Sequence, residues 1–173
     1  MSLSSIDRAA PKISAEHFKE AMSRVSYTVS VVSTYSEDRF YGKTINTLAP
    51  VSAEDSSILI SLYRKSDITQ MIMQSGEFCV SVLGEAQKGI AEDFAKSTEL
   101  ANPFDRWKWG RMESGAPYLE GAVACFDCTL VNAIQHASHM ILIGHIKAIV
   151  DGDIRPLLHH RRAYRPCADT IIQ

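Results

Sequence analysis

From Ser14 onward the apolar positions follow a helical period: Phe18, Ala21, Met22 and Val25 fall at i, i+3, i+4 and i+7, one face of a helix. Ser14 is placed to cap its start, and Glu16 lies in the first turn, where a carboxylate favours the helix dipole. Residues 1–13 show no period and are expected to be a flexible lead-in to a single domain over residues 14–173. The period then shortens. Thr28 to Tyr35 is rich in β-branched residues and predicts a strand, turning through Ser36, Glu37, Asp38 and Arg39 into a second strand that ends near Leu48. Ser57 to Tyr63 and Phe78 to Leu83 are further strands, the latter closed by Gly84, with a short helix from Ser66 to Gln74 between them. Lys88 to Lys96 predicts a second short helix with Ile90, Ala91, Phe94 and Ala95 on one face, and residues 97–118 are irregular and aromatic. Two long strands, Ala122 to Ile134 and His139 to Asp151, precede a basic tail rich in turn-forming residues.

Five or six strands with short helices between them, and no regular strand–helix alternation, exclude a doubly wound parallel sheet. The absence of GxGxxG after the first strand agrees. The prediction is a mainly β, antiparallel barrel or sandwich with peripheral helices, the long final pair supplying much of its wall.

Composition narrows the function classes. A chain of 173 residues with 46% hydrophobic content holds one packed core. Its formal charge of −2 gives no basic field, so nucleic-acid binding has no electrostatic support. No apolar run reaches the roughly 20 residues that span a bilayer, and the N-terminal residues lack the apolar core of a signal peptide. The cytoplasm is therefore the expected compartment. Cys125 and Cys128 stand three apart in a predicted strand, so they point to opposite faces. Together with Cys79 and Cys167 they are expected to be reduced thiols, not a metal set.

The segment from Tyr41 to Ser52 offers small side chains, hydroxyls and Asn46 at the end of a strand, where a planar ring can lie close to the backbone. Leu62 to Thr69 then offers Arg64, Lys65, Ser66 and Thr69 at a predicted helix start, a setting suited to phosphate. Together they look like a flavin site. Each piece also has an ordinary reading: Ser66 as an N-cap with Asp67 favouring the dipole, and His139 as a satisfied histidine at a strand end. The run His159, His160, Arg161, Arg162 with Arg165 reads as a solvated basic face or as a receiver for a dinucleotide's pyrophosphate. Phe104, Trp107 and Trp109 read either as a flap over a ring or as core or dimer packing.

In order and spacing these segments resemble the flavin reductase family, with its FMN-binding split-barrel fold. The pieces that carry the resemblance are Phe18 to Met22 leading into Thr28 to Thr34, Gly42 to Asn46 with Val51-Ser52, and Arg64 to Ser66 with Thr69. Gly76 to Leu83, Phe94-Ala95, Gly115 to Ala122, His139, Gly144 to Ile146, Pro156 to Leu158 and Tyr164-Arg165 continue it. The resemblance implies an antiparallel, Greek-key split barrel acting as a homodimer, with FMN or FAD reduced by NADH or NADPH and passed to a partner monooxygenase. It implies that Thr44, Asn46 and Thr47 line the ring and ribityl chain, and that the backbone from Leu48 and Ala49 to Ser52 meets the ring edge. Lys65, Ser66 and Thr69 would hold the phosphate, Phe94 and Ala95 pack by the flavin, and Tyr164 reach in from the C-terminal segment. His139 would stand on the nicotinamide side as the catalytic position. The chain departs from the common family pattern at Leu48 and Pro50, which remove an aromatic contact and an N–H, and at Ala137-Ser138, which lacks the usual carboxylate before the histidine. Those departures keep open a second reading, an FMN-binding module without fast reductase activity. A third, a related split-barrel oxidase of a small phosphate ester, lacks the basic residues that would clamp such a substrate.

Overall fold

The computed structural model describes residues 13–96 and 102–167, so most of the expected lead-in lies outside the described residues. Three α-helices and twelve strands are present among them. Helix α1 is Ala15–Ser23, α2 is Asp67–Ser75 and α3 is Lys88–Ala95. The strands are β1 Tyr27–Thr28, β2 Ser30–Ser36, β3 Arg39–Ile45, β4 Leu48–Ser52, β5 Ser57–Tyr63 and β6 Glu77–Val82. They continue with β7 Trp109–Arg111, β8 Pro117–Leu119, β9 Ala124–His136, β10 His139–Asp151, β11 Leu157–His160 and β12 Ala163–Pro166.

Seven strands form one antiparallel sheet in the order β3-β2-β6-β9-β10-β5-β4. Its two edges are consecutive in the chain, because only Asn46 and Thr47 separate β3 from β4. A sheet whose first and last strands are joined by two residues has to curl round on itself. The result is an antiparallel barrel split between β3 and β4, which meet at a corner and share no ladder. Pro50 sits on the edge strand β4, where its missing N–H breaks no ladder with a further strand.

Curling separates two cores by side-chain parity. The barrel interior gathers Val32 of β2, Ile45 of β3, Ile58, Ile60 and Leu62 of β5, Phe78 and Val80 of β6, Cys128 of β9 and Leu142 of β10, with Ile68 and Ile72 of α2 packed into it. Fully burying a side chain of this kind stabilises the fold by about 1.5–3 kcal/mol. Gly144 in β10 faces this core, where a Cβ would strike the Phe78 ring and lie 2.9 Å from Cys128 Cβ. The opposite faces of the same strands, Val31, Cys79 and Cys125, join Ile90, Ala91 and Phe94 of α3 and Phe104 in a second core outside the barrel. Cys125 and Cys128 therefore do belong to opposite faces, and all four cysteines are free thiols.

Three elements differ from the sequence expectation. The strand drawn as far as Leu48 breaks at Asn46-Thr47 and resumes as β4. The described part of the irregular aromatic stretch contains the small β7–β8 pair, with residues 97–101 outside the described residues. The basic tail, read only as rich in turn-forming residues, holds two strands: β11 and β12 form a hairpin, and β1 pairs with the other side of β11. Its two-residue tip, Arg161-Arg162, has φ of 48° and 60°, as a tight turn matched to strand twist requires. Helix α1 forms where its period predicts, with the Ser14 side chain accepting the His17 N–H at 3.1 Å. Its apolar stripe, however, buries no residue, and Phe18 remains 58% exposed.

Candidate functional site

The corner at the barrel split is built by Thr47. Its hydroxyl donates to the Ser61 carbonyl at 3.0 Å and accepts the Ser61 N–H at 3.1 Å, completing the edge of β5 just beyond the last β4 pair, Leu48 with Ile60. Thr44, on the β3 side, donates to the Ala91 carbonyl of α3 at 2.7 Å. The hydroxyls that the sequence assigned to a ligand are therefore committed to the scaffold. Asn46, between them, is exposed and makes no hydrogen bond to the described residues.

Beside this corner opens a small cavity of about 140 Å³ lined by Val29, Thr44, Ile45, Asn46, His159 and Tyr164. It adjoins a groove of about 760 Å³ under α1 that shares Asn46 and His159 with it and is walled by Phe18, Met22, Val25 and Tyr27. The small cavity alone is below the usual size of a ligand site; joined to the groove it falls within the common range of about 300–1,000 Å³. Tyr164 and His159 face each other across the β11–β12 hairpin, ring centroids 5.7 Å apart. Burial first, and then the nearby Glu92 carboxylate, raise the Tyr164 phenol above its ordinary pKa, so it stays a neutral donor at neutral pH.

A second group gathers where β5 ends at Tyr63. The Tyr63 carbonyl accepts from Ser66 Oγ at 2.8 Å and from Thr69 Oγ1 at 3.0 Å, and the two hydroxyls lie 2.9 Å apart. Thr69 is 2% exposed, so its hydroxyl serves the turn. Ser66 is the N-cap residue of α2; its N–H donates to the Tyr63 carbonyl and the Thr69 N–H to the Ser66 carbonyl, both at 3.0 Å, which leaves the Asp67 and Ile68 amides open, and Lys65 stands exposed beside them. That helix start opens on a cleft of about 680 Å³ lined by Arg39, Lys43, Ser66, Asp67 and Lys96, so three cations offset the Asp67 carboxylate. His139 pairs with Tyr63 across β5 and β10, the two rings 6.1 Å apart. Ser138 Oγ lies 3.0 Å from His139 Nδ1, supplying the partner that the missing carboxylate would have provided. The two groups lie on one stretch of β5, since Thr47 grips Ser61 two residues before Tyr63.

The remaining candidates are placed apart. Leu48 and Ala49 are half-buried in β4 beside the corner, Leu48 against the barrel core. Phe94 is 2% exposed and locked among Phe104 and Trp109, while Ala95 is exposed and its carbonyl accepts from Lys43 Nζ at 3.2 Å. Phe104 is buried in the same aromatic cluster, and Trp107 donates to Asp93 at 2.9 Å, so these rings pack the outer core. His159 is the lining residue that the sequence reading did not single out. Its only signal was strand alternation: in β11 His159 and His160 face opposite ways, and His160 Nδ1 lies 3.1 Å from Ser26 Oγ. Among the described residues no cluster of three His, Cys, Asp or Glu side chains is arranged to hold a metal.

Uncommitted polar groups on Asn46, His159 and Tyr164, converging on an apolar-walled opening beside small residues, fit a flat heteroaromatic ring with a polar edge. Comparison with known proteins agrees in kind. A family model described as flavin reductase like domain matches residues 22–168. The FMN reductase (NADH) RutF 2 of Methylorubrum extorquens (strain PA1) is 32% identical over 154 residues, which span 88% of this chain and 90% of that protein. The styrene monooxygenase flavin reductase of Pseudomonas putida is 26% identical with a TM-score of 0.82, covering 89% of this chain and 99% of that one. The flavin reductase component of a bacterial two-component tryptophan halogenase is 27% identical with a TM-score of 0.83, covering 91% of this chain and 100% of that one.

Proposed function

Because the chain belongs to the flavin reductase family, we propose that it is an NADH-dependent FMN reductase that hands reduced flavin to a separate oxygenase. The observation that carries this reading is the set of uncommitted polar groups around the barrel split: Asn46, His159 and Tyr164 are free to pair with a ligand that the scaffold itself does not satisfy. The flavin and the nicotinamide supply the hydride chemistry between them. The protein's part is to bind and orient. Asn46 and the edge of β4 at Leu48 and Ala49 meet the ring edge, and Thr44 and Thr47 hold that wall in place through Ala91 and Ser61. Lys65, Ser66 and the Asp67 and Ile68 amides of α2 receive the phosphate, while Thr69 holds the turn that presents them. His139, steadied by Ser138, stands on the nicotinamide side as a positioning group.

A homodimer belongs to the same proposal. Ile134 pairs with Ile141, and Ile143 with Leu59, on the outer face of the sheet. Val131 and Ile134 of β9 and Val51 of the edge strand β4 are 55%, 47% and 47% exposed. An apolar area of this kind on a monomer marks an interaction surface, and a second copy of the chain is the occupant we propose. The cytoplasm is the compartment we propose, on the ground that the buried cysteines remain unpaired thiols. No helix among the described residues is long and apolar enough to cross a membrane.

The deciding experiment is steady-state oxidation of NADH, and of NADPH, with and without added FMN or FAD. Turnover that requires a flavin and prefers NADH is the expected result. Tight FMN binding without turnover by either nucleotide sinks the reductase reading in favour of a flavin-holding module.

A further inference from the structure

Three residues at the tip of the C-terminal hairpin are tied to α1 and to the segment that follows it. His160 pairs with Ser26 at 3.1 Å, the Arg161 N–H donates to the Ser23 carbonyl at 2.7 Å, and Arg162 reaches Glu20 at 3.2 Å. These anchors, with the left-handed conformations of both Arg161 and Arg162, hold the register in which His159 faces the opening and His160 faces away. The backbone cost of such conformations persists only where the surroundings enforce them. His159 itself is half-buried, stacks edge-on with Tyr164, and makes no hydrogen bond through its ring nitrogens to any described residue. It lines both the small cavity and the groove under α1, and is thus the side chain at their junction together with Asn46.

The other residues around the small cavity are Val29, Thr44, Ile45, Asn46 and Tyr164, none of which carries a charge at neutral pH. Within that small cavity an imidazole is the one lining group able to hold a positive charge, while Lys19, Arg162 and Glu16 line the adjoining groove. This matters because of how a flavin changes on reduction. Hydride transfer from a nicotinamide would give a neutral flavin two electrons and one proton, and so one net negative charge, carried along its polar edge. A hydrogen bond from a cationic donor to that edge is roughly twice as strong as one to the neutral, oxidised ring.

We propose that His159 contacts the bound flavin at this junction and favours the reduced anion over the oxidised ring. The proposal rests on the flavin reading given above. It assigns to the chain a group that sets how long reduced flavin is kept before release.

The test compares the full-length wild-type chain with His159→Gln and His160→Gln, titrating each with oxidised FMN in air and with reduced FMN under anaerobic conditions. Gln keeps an N–H donor but cannot carry the charge. The expected result is that His159→Gln weakens reduced FMN about tenfold more than oxidised FMN, a fall of about 30 mV in the two-electron potential of the bound flavin. His160→Gln should leave that ratio at the wild-type value, since it loses only the Ser26 contact. An unchanged ratio in His159→Gln, or an equal change in both variants, overturns the proposal. If His159→Gln does not fold, His159→Tyr, which keeps a planar ring against Tyr164, must show the same loss of preference or the proposal falls. A wild-type chain that binds neither form of FMN refutes the flavin reading instead, and is told apart because no variant is needed to see it.

Discussion

Replacing Thr47 by valine separates scaffold from ligand contact, because valine has nearly the same shape and lacks only the hydroxyl. In the structure that hydroxyl makes two bonds, 3.0 and 3.1 Å, to the carbonyl and N–H of Ser61. Both groups point toward the β4 edge and lose their partner in the variant. A backbone group left unpaired costs about 1–3 kcal/mol when buried, and Ser61 is half-buried, so water recovers part of the loss. A net cost of about 2 kcal/mol follows, which for a chain of this size lowers the melting temperature by about 4–8 °C. Thr47→Ser keeps the hydroxyl and should stay within about 1 kcal/mol of wild type. Thermal and urea unfolding followed by circular dichroism give these numbers, and an FMN fluorescence titration gives affinity on the same samples. The expected pattern is a clear loss of stability with FMN affinity reduced only a few-fold. A Thr47→Val protein that melts like wild type but binds FMN more than tenfold more weakly would refute the scaffold role and return Thr47 to direct flavin contact.

Three further outcomes are expected. Lys65→Ala should weaken FMN several-fold or more while leaving riboflavin affinity nearly unchanged, because a charge-assisted contact to phosphate contributes about 1.5–3 kcal/mol; equal loss for both ligands rules out a phosphate at the start of α2. His139→Ala should slow flavin reduction in stopped-flow experiments by about tenfold to a hundredfold with FMN affinity held within a few-fold, as lost orientation without a lost chemical group predicts. Labelling native protein with a thiol reagent at pH 8 should modify Cys167 first, because burial raises the thiols of Cys79 and Cys125 and pushes Cys128 up to about 12, leaving almost no thiolate there; fast reaction at three or more sites contradicts the fold.

What the sequence made legible follows from where local signals are strong. The two longest strands and all three helices lie close to their expected places, since each has a run of β-branched residues or a full helical period to announce it. Strand β4 was not legible because Leu48-Ala49-Pro50-Val51 carries a proline and no alternation; what makes it a strand is the edge of β5, far along the chain. The β11–β12 hairpin was hidden by Arg161-Arg162, residues that rarely occupy a tight two-residue turn and are held there by α1. At the site, sequence pattern identified which residues lie near the barrel split and not what their polar atoms do. Thr44, Thr47 and Thr69 have the composition of ligand donors, yet each hydroxyl is spent on a backbone carbonyl that no sequence pattern locates. His159 shows the reverse: one of several basic residues in the sequence, it is half-buried at the cavity with no hydrogen bond from its ring to the described residues.

The split of the barrel and the candidate site are one feature. Closing a seven-stranded sheet with a two-residue link leaves a corner where neither β3 nor β4 finds a strand partner on its open side, so the backbone there depends on side chains for completion. Thr47 completes the edge of β5, Thr44 ties β3 to the Ala91 carbonyl of α3, and Asn46 between them is left with its amide unpaired. A ligand bound at the corner would therefore add hydrogen bonds where the sheet lacks them. By mass action, any such ligand that binds only the folded chain raises its stability in proportion to the logarithm of its concentration over Kd. Stability and binding are thus coupled through the same few atoms, which is why a change at Thr47 is expected to be felt first as a loss of fold stability and only second as a loss of affinity.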